Sequence, residues 1–390
     1  MTKIAVILAL PIEYNTSSMI RCRSIITELG NMGNNIECYC PYYDENSKYY
    51  SNKTISIPNL EIVRYGKRTK TVDVTSIKHF EKRSMKSILK KIILKVVHRV
   101  DVFGATLLYL PERKKIAEDI RVKKFDILLS FSDPMPAHMI AKFCKEKNPD
   151  LYYIQQWGDP LASDTISKVA QPVWFRKMIE NSLLSPANKV CYVSPFTCDE
   201  QKILFPSQSS KMFFLPTPSL EYEEGEKHEG RIKVGYFGSY NSAARNLKPF
   251  YEAACKMEDI DFYIIGDSDI HLKSTENVTV ISRMTPDEIK HYMNKIDVIV
   301  CLMNLKGNQI PGKIYHDASS TKDIMLIKDG EYGEDIQKFF SKFNHYTFVE
   351  NNVQAICDAL NNYCVNGVPI RKPVDDFRAY TVARELISLW

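Results

Sequence analysis

Long apolar runs are missing from this chain. No stretch approaches the roughly 20 consecutive apolar residues that a membrane-spanning helix requires, which argues against a transmembrane protein. The N-terminal MTKIAVILALPIEYN has only a short apolar run, followed by Pro11 and Glu13, with no small-residue cleavage site. It reads as a buried first strand and not as a secretory signal. The 10 cysteines include no CxxC pair and no metal-ligand spacing. That excludes the common structural zinc patterns and leaves reduced, mostly buried thiols of a cytosolic protein as the expectation. Strong charge is also absent: a net +5 over 390 residues is too modest to imply nucleic acid. What remains is a globular composition, 44% hydrophobic and 25% charged, in a chain longer than one typical core. Two domains are expected.

Apolar runs flanked by helical patterns recur along the sequence. Ile4 to Leu10, Ile36 to Cys40, Phe125 to Phe131, Leu151 to Ile154 and Lys189 to Val193 read as strands. Ser17 to Leu29, Met139 to Lys147 and Phe175 to Leu184 read as helices between them. Alternation of this kind predicts a parallel, doubly wound sheet. Glu221 to Arg231 (EYEEGEKHEGR) is nearly devoid of apolar residues and reads as a solvated connection. The rhythm then restarts. Ile232 to Ser239, Asp261 to Ile265, Val278 to Ile281, Ile296 to Leu302 and Tyr346 to Val349 are predicted strands of a second α/β domain. The expected organisation is a first Rossmann-like domain over 1–220, a linker over 221–231, a second over 232–375, and a C-terminal helix over 376–390 packing back on the first. Within the first domain, 78–124 reads as a basic amphipathic insertion. Its Lys82 to Arg99 stretch sets Met85, Ile88, Leu89, Ile92, Ile93, Val96 and Val97 on one face, with lysines and arginines mostly off it. That pattern suits an anionic membrane surface, and equally a core helix with a solvated lysine face.

Pro311 to Ile327 (PGKIYHDASSTKDIMLI) is the densest local signal. Proline is favoured at a first helical turn, where its missing N–H costs nothing. Helix starts present unpaired N–H groups to an anion, and Lys313 adds a mobile charge there. The run Ile324 to Ile327 then reads as a buried strand. An ordinary helix–strand unit has the same appearance.

This segment resembles the helix–strand signature of the two-Rossmann-domain (GT-B) glycosyltransferases, in particular retaining family four and its bacterial surface-polysaccharide members. Pro311, Lys313, Ile314, Tyr315, Ser320, Lys322 and Ile324 match, whereas His316 stands where the family usually has Glu. Val234 to Ser239 with Arg245-Asn246-Leu247 resembles the opening strand and phosphate loop of the donor domain. Phe262 to Asp267, Ile281 to Arg283 and Val298 to Val300 are similar to later parts of that domain. Leu108 to Glu112, Ser130 to His138, Trp157 to Pro160 and Tyr192 to Ser194 are similar to parts of the acceptor domain.

The resemblance implies an α/β fold of two Rossmann-like doubly wound domains facing across a cleft. It implies sugar transfer from a nucleotide-sugar to a growing surface glycan such as lipopolysaccharide or capsule, lipid-linked and with retention. The enzyme would be cytoplasmic and peripheral on the inner membrane face, with no nucleic-acid partner. No metal or other cofactor is expected: Asp267-Ser268-Asp269 has the spelling of a metal-binding pair but follows a strand as an ordinary loop. Arg245 and Lys313 are expected to stabilise the departing diphosphate. Gly238, Ser239, Pro311, Gly312, Ile314, Tyr315 and His316 complete the expected donor site. His138 and Asp159 are candidates for acceptor binding or proton transfer. Asn15, Thr16, Ser17, Ser18, Arg21 and Trp157 form the expected acceptor side. The loop before that first helix has no glycine, unlike the family's. His316 and this loop keep two rival readings open: a catalytically degenerate subunit that binds glycan or a partner enzyme, and a GT-B sugar-nucleotide epimerase or phosphorylase. The sequence names neither base, sugar, linkage nor oligomeric state.

Overall fold

The computed structural model describes residues 1–47, 49–50, 55–66, 111–132, 134–163, 171–221 and 230–390. The basic stretch Lys82 to Arg99, most of the proposed linker and part of the Leu108 to Glu112 segment lie outside them. Two compact units emerge, Met1–Leu215 with Ala383–Trp390, and Pro216–Val382.

The first unit holds a seven-stranded sheet, ordered β3-β2-β1-β4-β5-β6-β7. Its strands are β1 (Lys3–Ile7), β2 (Asn35–Pro41), β3 (Leu60–Tyr65), β4 (Ile127–Phe131), β5 (Tyr152–Trp157), β6 (Lys189–Tyr192) and β7 (Met212–Phe214). All pairings are parallel, with Ile4 opposite Ile36 on one side and Ile127 on the other. Beyond Lys3 every residue of β1 is buried, as expected of a parallel strand covered on both faces. The helix Ser17–Asn31 buries Met19, Cys22, Ile25, Ile26 and Leu29, spaced along one face. The helices Pro136–Lys147, Val173–Leu184 and Pro195–Leu204 follow β4, β5 and β6 in turn. The far end of the predicted insertion is a helix, Arg113–Lys123, whose Ile116, Ala117 and Ile120 join the core. At the chain terminus, the Tyr152 hydroxyl donates to the Leu389 carbonyl at 2.7 Å.

The second unit holds a six-stranded parallel sheet, ordered β10-β9-β8-β11-β12-β13. Its strands are β8 (Ile232–Phe237), β9 (Ile260–Ile265), β10 (Val278–Ile281), β11 (Val298–Leu302), β12 (Asp323–Lys328) and β13 (Tyr346–Glu350). In both sheets the order reverses between the first strand and the fourth to be laid down, β1 with β4 and β8 with β11. Such a switch point leaves a crevice at the C-terminal strand ends, because the flanking helices cross to opposite faces.

Candidate active site

The switch point of the second sheet gathers the residues of the predicted phosphate site. β8 ends at Phe237, and Gly238-Ser239 turn away from it, with the Gly238 N–H bonded to the Ile265 carbonyl at 2.9 Å. A Cβ at Gly238 would lie 3.7 Å from the Lys313 side chain, so Lys313 runs directly over this turn. Arg245 reaches the same place from the following loop. Its Nη1 donates to the Ser239 carbonyl at 2.9 Å and its Nε to Asn304 Oδ1 at 3.2 Å. Asn304 follows β11 and is itself held by donating to the Gln309 carbonyl at 3.0 Å. The Tyr236 hydroxyl donates to the Ser239 carbonyl at 3.1 Å. Both Lys313 and Arg245 bear electrostatically on the buried Cys301 thiol, which burial and Asp317 push up against their pull. Two cations therefore converge on one exposed turn. A guanidinium carries five N–H donors, more than these two bonds consume.

The signature segment differs from its expected form. The helix is only Gly312–His316, followed by a 3-10 turn over Asp317–Ser319, and Pro311 is its N-cap residue. So short a helix sums few peptide dipoles, which leaves the positive potential to Lys313 and Arg245. Ile314 and Tyr315, expected at the donor, are core residues. Tyr315 packs on Phe377 and Phe340 with ring centroids 4.9 and 5.3 Å away. The Ile314 carbonyl accepts from the Tyr346 hydroxyl at 2.9 Å. His316 is also buried, and its carbonyl accepts from the Leu220 N–H at 2.9 Å. A single helical turn must bury most of its length to be anchored, and Gly312 and Lys313 are its two residues left partly exposed. Asp269 is engaged by Ser242 through both N–H and hydroxyl, at 2.7 and 2.6 Å. Among the described residues no cluster of three His, Cys, Asp or Glu could hold a metal.

In the first unit the expected acceptor residues separate. His138 is fully buried and stacked on Trp157 with centroids 4.4 Å apart. Its Nδ1 lies 2.7 Å from Ser130 Oγ, which also meets the Tyr153 hydroxyl at 2.8 Å. The Trp157 indole N–H donates to Gln155 Oε1 at 2.8 Å. Burial, with the charge of Arg21 nearby, pushes the His138 imidazole down to about 3. His138 and Trp157 thus belong to a packed polar network, and Trp157 closes a strand instead of lying on a loop. Such a histidine stays neutral near pH 7. Thr16 caps the first helix, accepting from the Met19 N–H at 3.3 Å, and its hydroxyl also meets Ser18 Oγ at 3.1 Å. Asn15 accepts from Arg23 at 2.7 Å. Arg21 is buried and donates to the Ser132 carbonyl. Asp159 remains partly exposed just past the end of β5. Asn304 carried no sequence signal, since its partner Arg245 lies 59 residues away in the chain.

No protein-family profile matches the chain, and no curated protein sequence matches it. Solved structures do. Two all-parallel sheets of this order are those of the GT-B fold, and the likeness extends over the whole chain. The lipopolysaccharide outer core galactosyltransferase WaaB is 11% identical with a TM-score of 0.56, covering 99% of this chain and 98% of that one. Sucrose-phosphate synthase from Thermosynechococcus elongatus is 11% identical at a TM-score of 0.56, covering 100% and 94%. UDP-GlcNAc 2-epimerase from Neisseria meningitidis, solved with UDP-GlcNAc bound, is 11% identical at a TM-score of 0.53, covering 99% of each chain. At these identities the likeness establishes the fold.

Proposed function

We propose that the chain is a glycosyltransferase that moves a sugar from a nucleotide-sugar to a glycan acceptor, lipid-linked and at the cell surface, with retention. The observation that carries this reading is the convergence of Arg245 and Lys313 on the Gly238-Ser239 turn at a switch point. As the anomeric carbon–oxygen bond breaks, its electron pair leaves with the diphosphate, and the acceptor hydroxyl oxygen bonds the same carbon while its proton passes to the departing diphosphate oxygen. Fixed cations at the leaving oxygens lower that barrier without reorganising. Gly312 and Gly238 let the phosphates approach the backbone closely. WaaB and sucrose-phosphate synthase support the reading through their shared fold. Association with the inner membrane face rests on the Lys82 to Arg99 sequence pattern alone.

A thermal-shift screen of nucleoside diphosphates and nucleotide-sugars tests the donor site, since a ligand of the folded state raises the unfolding temperature by mass action. Absence of any stabilising nucleotide would sink the reading. The second reading is a sugar-nucleotide epimerase, favoured by the full-length likeness to UDP-GlcNAc 2-epimerase. Nucleotide release that requires added acceptor supports the transferase. Interconversion of the nucleotide-sugar without acceptor supports the epimerase.

A further inference from the structure

The loop that follows β5 is held by an unusual amount of buried polar chemistry. Gly158 donates its N–H to Ser132 Oγ at 3.1 Å. Leu161 and Ala162 donate their N–H groups to one carboxylate oxygen of Glu180, at 3.1 and 2.6 Å. Arg176, one turn before Glu180 in the helix Val173–Leu184, donates to the Leu161 carbonyl at 3.0 Å. Gln201, from the helix Pro195–Leu204, donates to Ser163 Oγ at 3.1 Å. Between Gly158 and Ala162 only Asp159 is not buried. The loop is therefore pinned from three neighbouring elements, and the residue it leaves partly exposed is Asp159, beside the C-terminal edge of the sheet, where ligands of open α/β folds sit.

Glu180 is the costly member of this arrangement. Its side chain is wholly buried. Burial raises its carboxyl to about 8, with Glu200 adding to the rise, while the two amides and Arg176 pull the other way. A carboxyl kept in such surroundings offsets its desolvation only through the bonds it makes, here to two buried amides that would otherwise be left unpaired. A plain packing position would be served by leucine.

We propose that Glu180 is a positioning residue: it grips the Leu161 and Ala162 amides and thereby sets where Asp159 stands for the reaction of the acceptor hydroxyl. The inference rests on the transferase reading for its consequence, but the grip itself is a property of the folded chain. Displacing a reacting group by about 1 Å can cost on the order of 100-fold in turnover.

Three variants of the full chain test it: Glu180→Ala, Glu180→Asp and Glu180→Gln. Glutamine keeps an acceptor oxygen at the same reach, whereas aspartate withdraws it by one methylene. Amide hydrogen exchange, read at Leu161 and Ala162, should accelerate in Glu180→Ala and Glu180→Asp and stay near wild type in Glu180→Gln. Sugar transfer should fall by about 100-fold in kcat for Glu180→Ala, with the donor KM unchanged and most of the loss restored by Glu180→Gln. Combining Glu180→Ala with Asp159→Asn should add little to Asp159→Asn alone. Unchanged exchange at both amides overturns the grip. Wild-type turnover in a Glu180→Ala protein with accelerated exchange, or a loss that merely follows the folded fraction, overturns the positioning role. If Glu180→Ala does not fold, Glu180→Asp against Glu180→Gln decides the same points. A wild-type protein that binds no nucleotide overturns the transferase reading instead, and the exchange comparison still tests the grip.

Discussion

Gly266→Ala should damage nucleotide binding by displacing the Gly238-Ser239 turn. Gly266 follows β9, and its N–H donates to the Ile281 carbonyl at 3.0 Å. A Cβ built there would stand 1.9 Å from the Gly238 carbonyl oxygen, 2.6 Å from its carbon and 3.3 Å from the Ser239 nitrogen. Cβ contacts essentially never fall under 3.0 Å, so the Gly238 backbone must retreat by about 1 Å. No side chain can rotate to absorb this, because both clashing atoms belong to main chain. The retreat strains the 2.9 Å bond from the Gly238 N–H to Ile265 and the 2.9 Å bond from Arg245 to Ser239. Overpacking of this kind costs roughly 1–3 kcal/mol of stability. Loss of one charge-assisted contact to a phosphate costs a further 1.5–3 kcal/mol or so, about 10- to 100-fold in affinity. Isothermal titration with the nucleotide chosen by thermal shift reads the second effect, and urea unfolding reads the first. Gly333→Ala is the matched control: its Cβ would meet only the Lys328 Cβ at 3.9 Å, at a helix start. That substitution should stay within about 1 kcal/mol of wild type and leave affinity intact. A Gly266→Ala protein with wild-type affinity and unfolding midpoint would refute the claim that Gly238-Ser239 forms the phosphate turn.

Two further expectations concern charge. Lys313→Met should lower kcat by roughly 100- to 1,000-fold, as loss of one preorganised donor to a developing oxyanion does, while Arg245→Lys should weaken donor binding because it keeps the charge but loses the planar fork; steady-state kinetics with the identified donor checks both, and unaltered constants would remove these cations from the site. His138, held down to about 3 from an ordinary 6.5, binds fewer protons folded than unfolded, so its contribution to stability is present above about pH 6.5 and is lost as pH falls towards 3. Urea unfolding at about pH 7 and about pH 4 should show roughly 3 kcal/mol more acid loss in wild type than in His138→Gln, and equal losses would contradict a buried neutral imidazole.

Much of the architecture was legible because a parallel sheet covered on both faces demands apolar runs. Ile4 to Leu10, Phe125 to Phe131 and Ile324 to Ile327 stand out for that reason and contain most of β1, all of β4 and most of β12. The strands that escaped notice are edges. β3 is mostly half-exposed, with Glu61 between apolar neighbours, and β7 is three residues long. Neither needs a continuous apolar signature. Of the site, Gly238, Ser239, Arg245 and Lys313 were legible through local spelling and do come together. Ile314, Tyr315, His138 and Trp157 were spelled by motifs too, but they are buried, because a motif spells residue types and not which of them the packing buries.

What the sequence determined by itself is therefore most of the elements and the rhythm of two α/β units, since hydrophobic periodicity is a local property of the chain. Strand order, the approach of Gly266 to Gly238, the burial of His138 and the grip of Glu180 on Leu161 and Ala162 were decided only by tertiary structure. Each depends on groups that are separated along the chain and meet only when the sheet closes around them, and burial sets the chemistry of a polar side chain as strongly as its identity does.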